Sequence, residues 1–414
     1  MEALISDARG RPGDDPIFTI NARANERRAA GEPVINASLG ALLDDDGTLA
    51  VMPTVFEAMR SVPPERAAAY APIAGDRDYL DAVIQDVLGS GTLASNAVAA
   101  ATPGGTGALL NAVMNFLEPG QSLYTSSYYW SPYRIIADHN QRGVRTFPMF
   151  DDAGAFDVAA FESGLVELLQ EQGRALVILN FPCHNPTGYS LAEDEWRAVA
   201  DALGRASEHG PVALLLDLAY AHFGAAPVDS WVPAIERVAD QITVLAAWTA
   251  SKSFAQYGAR VGALVASVAD ESYRTEVANA ISYTCRGSWS NCNHLGLLAI
   301  SELLRDDDLA RRVGDERARL TQLLRERVDT FNHEAGQHGL RYPRYEGGFF
   351  VSVFTPDARE TARVAAEAGV FVVPMDGAVR VALCSVAKSD VPRLVEEVAR
   401  GVRAAEARAL EVEA

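Results

Sequence analysis

The chain has 414 residues, of which 49% are hydrophobic and 22% are charged. This composition is typical of a globular protein long enough to form two domains. The formal net charge of −19 disfavours nucleic acid and anionic membranes as partners, because both would repel such a surface. An anionic substrate would therefore have to be held by a local group of arginines.

No metal site, disulfide framework or targeting segment is predicted. The four cysteines and seven histidines are dispersed without the spacing of metal ligands or of paired cysteines. Residues 1–16 carry four acidic residues and no long apolar run, and no later run is long enough to span a membrane. We therefore expect no signal peptide and a cytoplasmic location.

Strand-like and helical segments alternate along the chain. Glycines, prolines and polar caps delimit predicted helices at residues 23–30, 53–61 and 79–88, and an extended piece at 34–39. From residue 97 onward, apolar runs alternate with amphipathic helices. The predicted strands are residues 98–102, 121–125, 175–180, 212–216, 242–247 and 260–266.

Continuous apolar strands between helices indicate a mostly parallel sheet with helices on both faces. A long charged helical region, residues 299–334, follows. We therefore predict a three-layer α/β/α fold with a mostly parallel central sheet plus a smaller α/β domain. The larger domain is assigned to residues 49–298, and the smaller one to residues 1–48 and 299–414.

Lys252 follows the apolar run 242–247 and is preceded by two hydroxylated residues, Thr249 and Ser251. In a low-dielectric site a lysine amine loses its proton more readily, and the neutral amine can form a Schiff base. Arg260 could bring a second cation to the same place, and with Thr249 and Ser251 it would suit a phosphate ester. A solvated loop with two ordinary cations fits the same residues.

A glycine-rich turn, Pro-Gly-Gly-Thr-Gly at residues 103–107, opens a predicted helix. Its backbone N–H groups and the positive end of the helix dipole would suit a phosphate, although a plain tight turn has the same composition. The turn matches neither the dinucleotide fingerprint nor the P-loop. A nicotinamide-dependent dehydrogenase is disfavoured, since no acidic residue follows at the expected spacing.

Three further strand ends carry polar or aromatic candidates. Asp217 closes an apolar strand and needs a partner, such as a protonated pyridine nitrogen or the start of a helix. Tyr220 and the amide of Asn185 could reach the same ring, although Asn185 also fits a β-turn. Trp130 could stack on an aromatic ring or pack in the core. Ligands bind at the carboxyl ends of strands in such sheets, so these positions favour one common site.

These elements, in this order, resemble the pyridoxal-phosphate-dependent aminotransferases of fold type I, class I. The similarity is greatest to the aspartate and aromatic amino-acid branch and extends over residues 35–386. It rests on five separated motifs: Thr102-Pro-Gly-Gly-Thr-Gly107, Cys183-His-Asn-Pro-Thr-Gly188, Asp217-Leu-Ala-Tyr220, Ser251-Lys252 with Arg260, and Arg380.

The resemblance implies a role for each residue of a pyridoxal 5′-phosphate site. Lys252 would bind the cofactor as a Schiff base and then shuttle a proton. Asp217 would keep the pyridine nitrogen protonated, while Asn185 and Tyr220 would hydrogen-bond the phenolic oxygen. Trp130 would stack on the ring and, with Asn185, line the substrate site. The phosphate would be held by Gly105, Thr106, Thr249, Ser251 and Arg260, and by Tyr70 from the partner subunit of a homodimer.

The same resemblance implies how a substrate binds. Arg380, which on its own could be an exposed strand residue or a carboxylate clamp, would hold the α-carboxylate. Gly40 would belong to a mobile segment that closes over it. Arg286 falls in the motif Arg-x-x-aromatic-Ser-Asn. In that branch the arginine comes from the partner subunit and binds the side-chain carboxylate of an aspartate or glutamate substrate. A dicarboxylate is therefore expected as one substrate.

The chain also departs from that branch at several positions: Pro132 within Trp130-Ser-Pro-Tyr133, Phe181, Leu218 and Leu42. We expect these departures to alter side-chain specificity and to leave the cofactor set intact. The function expected is transfer of an amino group between an L-amino acid and a 2-oxo acid. Decarboxylation, β-elimination and oxidation on the same scaffold remain alternatives. A DNA-binding sensor is disfavoured, since no basic helix-turn-helix precedes the domain.

Overall fold

A computed structural model describes residues 3–13 and 16–413. The prediction that residues 1–16 are not a signal peptide falls partly on Met1, Glu2, Asp14 and Asp15, which lie outside the described residues. Among the helices described, none is both long and apolar enough to cross a membrane. The chain divides into two compact units.

The larger unit, Ala50–Arg325 with Pro343–Phe349, is built around a seven-stranded sheet. Its strands in spatial order are β2 (Ala97–Pro103), β8 (Val261–Ser267), β7 (Thr243–Thr249), β6 (Val212–Asp217), β5 (Ala175–Leu179), β3 (Ser122–Ser126) and β4 (Gly143–Phe147). Strand β8 runs antiparallel to both of its neighbours, and the other pairs are parallel. The predicted, mostly parallel sheet is confirmed.

Helices connect and cover these strands. They are α2 (Pro53–Ser61), α3 (Pro64–Ala68), α4 (Arg77–Leu88), α5 (Thr92–Ser95), α6 (Gly104–Phe116), α7 (Pro132–His139), α8 (Val158–Gln172), α9 (Glu193–Ser207), α10 (Val232–Ile235), α11 (Ala250–Ser253), α12 (Glu271–Ser288), α13 (His294–Arg305) and α14 (Asp307–Gln337).

Both faces of the sheet are buried, which explains why its strands read as continuous apolar runs. Leu215 and Ala213 of β6 belong to a core that includes residues of α6, α7 and α12. Their neighbours Leu214 and Leu216 point to the opposite face because side chains alternate along a strand, and they are buried too. Helices α8 and α9 pack against β5 and β6. These layers form the three-layer α/β/α fold.

The register of the sheet brings the ends of β2, β6 and β7 and the start of β8 to one edge. Thr249, at the end of β7, lies opposite Gly262, which in turn pairs with Thr102 of β2. Arg260 comes just before β8 and therefore emerges between the ends of β2 and β7. Asp217 pairs with Ala247 on the neighbouring strand. The backbone alone thus assembles the glycine-rich turn, Arg260, Asp217 and the segment after β7.

The smaller unit consists of Met1–Leu49, Glu326–Tyr342 and Phe350–Ala414. Its helices are α1 (Pro16–Ala29), the end of α14, α15 (Ala358–Glu367) and α16 (Val391–Glu413). Strand β1 (Ile35–Asn36) pairs in parallel with β10 (Val370–Phe371). Strands β11 (Val373–Met375), β12 (Ala378–Ala382) and β9 (Phe350–Phe354) form an antiparallel sheet in that order. Helices α15 and α16 pack together.

The structure differs from the sequence predictions in several bounds. The predicted division changes domain after residue 298, whereas residues 299–325 lie in the larger unit, where α13 packs against α2 and α4. The predicted helical region 299–334 is interrupted at Asp306, whose backbone is extended. The side chain of Asp306 accepts a hydrogen bond from Leu309 N–H at 2.9 Å and so begins the next helix. The predicted helix 23–30 begins earlier, at Pro16.

Candidate active site

Gly104, Thr249, Ser251 and Arg260 form a group that we call the anion cradle. Arg260 Nη1 donates to Ser251 Oγ at 3.1 Å, and Thr249 Oγ1 donates to the same oxygen at 2.9 Å. Arg260 Nη2 donates to the carbonyl of Pro103 at 3.3 Å, directly before α6 begins. A guanidinium, two hydroxyls and a helix N-terminus therefore converge, which is the donor set that a phosphate ester requires.

Two glycines make room for this approach. Gly104 has a φ of +71°, and a Cβ there would lie 2.4 Å from Arg260 Nη2. A Cβ on Gly262 would lie 2.6 Å from the backbone of Gly104. Arg260 itself has a φ of 54°, an unusual conformation for a residue with a side chain. The strain of this backbone is retained where it aims the guanidinium at the start of α6.

Gly105 and Thr106, the other predicted phosphate ligands, lie in the first turn of α6. Gly105 is close to the side chain of Thr249, since a Cβ at Gly105 would lie 3.6 Å from it. Thr106 is exposed. All five predicted phosphate ligands of this chain are thus in or beside the anion cradle.

Asp217 lies at the carboxyl end of β6 with only 6% of its surface exposed. Its Oδ2 accepts a hydrogen bond from the Tyr133 hydroxyl at 2.7 Å, and its Oδ1 accepts one from Ala219 N–H at 3.2 Å. Burial raises the pKa of this carboxyl above its usual value, and the two hydrogen bonds and the positive charge of Lys252 oppose the rise. The carboxyl is therefore buried beside a cation and retains acceptor capacity.

Asn180 connects two of the strand ends. Its Nδ2 donates to the backbone carbonyl of Asp217 at 2.7 Å, while its Oδ1 accepts from the backbone N–H of Asn185 at 2.7 Å. The side chain of Asn185 then donates to the Tyr220 hydroxyl at 3.4 Å. One buried network thereby joins Asn185, Asp217 and Tyr220. The sequence predicted that the same three residues share one site.

Lys252 lies in the short helix α11, directly after β7. Its Nζ lies 5.5 Å from the centroid of the Tyr220 ring and 5.4 Å from that of Tyr257. Its charge acts on Asp217, and its neighbour Ser251 belongs to the anion cradle. The lysine therefore stands between the cradle and the buried carboxyl, against aromatic faces that favour a cation.

Trp130 lies just before α7 and packs edge-on against Tyr133, with ring centroids 5.8 Å apart. Tyr133 is 1% exposed and also stacks on Tyr129 at 6.3 Å. Trp130 is therefore connected to Asp217 through Tyr133.

His184 is buried beside Asn185. Its Nδ1 is 2.8 Å from the Thr187 hydroxyl, and its ring lies against Phe181 with centroids 5.3 Å apart. Burial lowers the pKa of this histidine to about 3. The imidazole is therefore neutral in the folded protein around neutral pH, and the Asn185 loop packs on an uncharged ring.

Arg380 and Gly40 lie in the smaller unit. Arg380, on β12, is 5% exposed, donates to the carbonyl of Ser38 at 2.8 Å and lies 4.4 Å from the centroid of the Phe350 ring. A Cβ on Gly40 would lie 2.6 Å from the same ring. Arg380 is therefore a buried guanidinium fixed by a carbonyl and an aromatic face, and not the exposed strand residue that its sequence also allowed.

Tyr70 and Arg286 are exposed in the larger unit, and Tyr70 presents 90% of its surface. The loop of Tyr70 is anchored at both ends by His294, whose Nδ1 is 2.8 Å from the Ala69 carbonyl and whose Nε2 is 3.1 Å from the Asp76 carboxylate. Arg286 donates to Ser290 Oγ at 2.7 Å. Neither residue contacts the anion cradle or Asp217 through the hydrogen bonds described.

Sequence reasoning missed two residues of the buried network, Tyr133 and Asn180. Asn180 closes a predicted strand, just as Asp217 does, and this shared position was the signal that could have identified it. Tyr133 gave no comparable signal because its partner is distant in sequence. The departure around Pro132 was expected to affect only substrate selection, yet this segment supplies the hydrogen bond to Asp217.

Comparison with known proteins adds a family assignment to this geometry. The sequence profile of the family described as aminotransferase class I and II matches residues 32–398. The aromatic-amino-acid aminotransferase of Escherichia coli is 29% identical over 87% of this chain and 91% of its own length. The aspartate aminotransferase of Pseudomonas aeruginosa is 27% identical over 93% of this chain and 96% of its own.

Solved structures are similar over nearly the whole length. An aminotransferase from Anaerococcus prevotii superimposes with a TM-score of 0.92 at 32% identity, covering 97% of this chain and 100% of that one. An aromatic amino acid aminotransferase from Burkholderia cenocepacia has a TM-score of 0.80 at 24% identity, covering 96% and 99%. The second similarity concerns the fold alone.

Proposed function

The chain belongs to the class I and II aminotransferase family and is a pyridoxal-phosphate-dependent amino-acid transaminase, and from this premise we propose its substrates and the roles of its residues. The amino donor is an aspartate, glutamate or aromatic L-amino acid, and the acceptor is a 2-oxo acid such as 2-oxoglutarate. The observation that carries the assignment of the site is the placement of Lys252 between the anion cradle and the buried carboxyl of Asp217.

The anion cradle fits the phosphate of the cofactor. Arg260 supplies the charge, Ser251 and Thr249 supply hydroxyls, and Gly105 and Thr106 supply backbone N–H groups at the start of α6. The space that Gly104 leaves open, which a Cβ would fill, lets the guanidinium approach the helix N-terminus. Fixed donors of this kind bind an anion without reorganising, so the phosphate would anchor the cofactor in its site.

The buried network fits the aromatic part of the cofactor. Asp217 offers its carboxylate to the protonated pyridine nitrogen, and Asn185 and Tyr220 offer donors to the phenolic oxygen. Trp130 lies against Tyr133 and supplies an aromatic surface for stacking. When bound, pyridoxal phosphate supplies a carbonyl that reacts with amines and a ring that accepts electrons.

Lys252 has two proposed tasks, which are to hold the cofactor through its amine and to move a proton with that amine once the substrate has replaced it. The neighbouring Tyr220 ring and the charge of Asp217 keep the amine in place. Proton transfer by a positioned group contributes roughly 10²–10⁴-fold to a rate.

Carboxylate recognition is assigned to two arginines. Arg380 holds the α-carboxylate, since its guanidinium is already oriented by Phe350 and Ser38, and Gly40 lies in the segment beside it. Arg286 holds the side-chain carboxylate of a dicarboxylic substrate. Bidentate binding of a carboxylate by arginine is both strong and geometrically selective.

A homodimer with shared active sites completes this assignment. Tyr70 and Arg286 are exposed in one chain, so both are available to a second copy. Each would serve the active site of the partner. The cytoplasmic location expected from the sequence stays a prediction.

Absorbance spectroscopy of the loaded protein tests the function. Adding L-aspartate, L-glutamate or L-tyrosine without an oxo acid should bleach the band of the lysine-bound cofactor, and 2-oxoglutarate should restore it. A band unmoved by all three donors would exclude these substrates. Release of CO₂, of pyruvate with ammonia, or of peroxide would instead identify a decarboxylase, a β-lyase or an oxidase.

A further inference from the structure

Tyr133 donates a hydrogen bond to Asp217, and none of the roles proposed above involves this contact. Its hydroxyl donates to Oδ2 at 2.7 Å, the usual distance for a hydrogen bond between a hydroxyl and an oxygen. Oδ1, on the other side of the carboxylate, accepts only the longer bond from Ala219 N–H at 3.2 Å among the hydrogen bonds described. The phenol therefore fixes one oxygen and leaves the other as the better acceptor for a ligand.

The aromatic packing around Tyr133 makes the position of its hydroxyl precise. Tyr133 is the second residue of α7, which begins with Pro132. Its ring is held edge-on by Trp130 and face-on by Tyr129. With 1% of its surface exposed, the ring is fixed by its neighbours, so a hydroxyl from α7 holds the carboxyl of Asp217 at the end of β6.

The phenol can act only as a donor in this pair. Burial raises the pKa of Tyr133 well above its usual value, and the negative charge of Asp217 raises it further. Tyr220 and Lys252 are the other titratable groups that act on the pair. The phenol therefore keeps its proton and donates it to Oδ2.

A hydrogen bond donated to a carboxylate stabilises its charged form and so lowers its affinity for a proton. Burial of Asp217 has the opposite effect. The balance between these two effects sets the basicity of the carboxylate. It matters when the carboxylate faces the pyridine nitrogen, because the proton between carboxylate and nitrogen resides on the stronger base. If the carboxylate became too basic, the proton would leave the nitrogen for Oδ1, and the ring would lose its positive charge.

We propose that Tyr133 is a positioning residue that orients Asp217 and keeps its carboxylate weakly basic. The proton shared by this carboxylate and the pyridine nitrogen then stays on the nitrogen. This inference rests on the proposed function of Asp217. It involves no change of bonds except the choice between N–H and O–H for that one proton. The Trp130–Tyr133 segment thereby acts on the cofactor ring in two ways. Trp130 stacks on the ring, and Tyr133 acts on it through the carboxylate of Asp217.

The test uses full-length protein loaded with pyridoxal phosphate that carries ¹⁵N in its ring. The nitrogen chemical shift distinguishes a protonated from a neutral ring directly and does not depend on turnover. In the wild-type protein we expect a protonated nitrogen, and in Tyr133→Phe a shift toward the neutral ring. We expect kcat to fall about tenfold with little change in the KM of the amino acid, since one charge-assisted hydrogen bond is lost.

Tyr129→Phe is the matched control, because it removes a neighbouring hydroxyl that accepts from Arg134 and does not contact Asp217. It should leave the nitrogen shift unchanged. A double-mutant cycle with Asp217→Asn separates the proposed role from a merely structural one. If Tyr133 acts through Asp217, the shift caused by Tyr133→Phe should disappear once the carboxylate is absent.

Additive effects in that cycle, or an unchanged nitrogen shift in Tyr133→Phe, would overturn the inference. A neutral nitrogen in the wild-type protein would overturn it whatever the variants do, which keeps the test decisive even if Tyr133→Phe does not fold. Failure of the proposed function is distinguishable, because the wild-type protein would then not bind pyridoxal phosphate or would not exchange amino groups.

Discussion

Two regions of the larger unit carry residues of the proposed active site in opposite surroundings. The buried set, which comprises Tyr133, Asn185, Asp217, Tyr220 and Lys252, is joined by hydrogen bonds and charges within one chain. The exposed pair, Tyr70 and Arg286, presents a phenol and a guanidinium on the surface. The buried set is therefore pre-organised by its own fold, whereas the exposed pair gains a role only when another molecule covers it.

Acidification should have the largest effect, and it acts at His184, which is buried beside Asn185 of the buried set. Because the pKa of His184 is lowered to about 3 while an unfolded histidine titrates near 6.5, the unfolded state binds more protons between these values. Folding stability is then fully present above about pH 6.5 and is lost as the pH falls toward 3. By pH 4 this one group should cost about 3 kcal/mol.

Denaturant unfolding at pH 7 and pH 4 measures this loss. His184→Gln should reduce the loss by about this amount, since glutamine does not titrate, although the variant loses some stability at pH 7. The loss that remains includes that of His222, whose pKa is also lowered by burial. His209→Gln, at an exposed histidine, is the matched control and should retain the full loss. An equal acid response in the two variants would show that His184 is not the source of this loss.

Removing a charge from the anion cradle should weaken cofactor binding. Arg260→Ala deletes the only guanidinium among the four residues of the cradle, and a charge-assisted hydrogen bond is worth about 1.5–3 kcal/mol. The Kd for pyridoxal phosphate should rise about 10- to 100-fold in a fluorescence titration. Arg77→Ala, at an arginine whose side chain is 89% exposed and paired with Asp81, should leave the Kd unchanged. An unchanged Kd in Arg260→Ala would remove the cradle from the account.

A substitution in the exposed pair should affect substrates selectively. Arg286→Gln should lower kcat/KM for L-aspartate about tenfold, since one charged contact to the side-chain carboxylate is lost. The value for L-tyrosine should change little, because that donor has no second carboxylate, and it serves as the internal control. Equal losses with both donors would assign Arg286 to the general architecture and end the distinction between the two regions.

The smallest effect is expected at Tyr70. Tyr70→Phe removes one hydroxyl that is proposed to reach the phosphate of the partner subunit, and a neutral hydrogen bond contributes about 0.5–1.5 kcal/mol. The Kd for pyridoxal phosphate should rise about 2- to 10-fold. Tyr283→Phe is the control, because Tyr283 is also largely exposed, at 82%. If the two variants behave alike, Tyr70 has no role in cofactor binding.

The sequence predicted the parts of the site that lie at strand ends, and for a physical reason. Asp217, Asn185 and Lys252 each follow an apolar run, and parallel strands bring such ends to one edge of a sheet. Tyr133 could not be found in this way, because a contact between α7 and β6 depends on packing angles that local sequence does not specify. Glycine at position 104 was predicted as part of a turn, whereas its closeness to Arg260 emerged only from the register of β8.

The ends and directions of helices and strands were harder to predict from the sequence than their existence. The break between α13 and α14 depends on Asp306, an acidic residue within a charged helical stretch, where a cap and a helix interior have similar compositions. The antiparallel direction of β8 was likewise invisible, because an apolar strand reads the same in either direction. The buried position of Arg380 followed from packing against Phe350 and not from its alternating strand pattern.

Chemical labelling of the lysines tests the central assignment most directly. The chain contains two lysines, Lys252 and Lys388, and Lys388 is paired with Glu326 at 3.0 Å in the smaller unit. Borohydride reduction of protein loaded with pyridoxal phosphate, followed by peptide mass spectrometry, should place the pyridoxyl group on Lys252 alone. Lys388→Arg should label to the same extent, and Lys252→Arg should not label. A pyridoxyl group on Lys388, or on neither lysine, would contradict the assignment of Lys252 as the cofactor-binding residue.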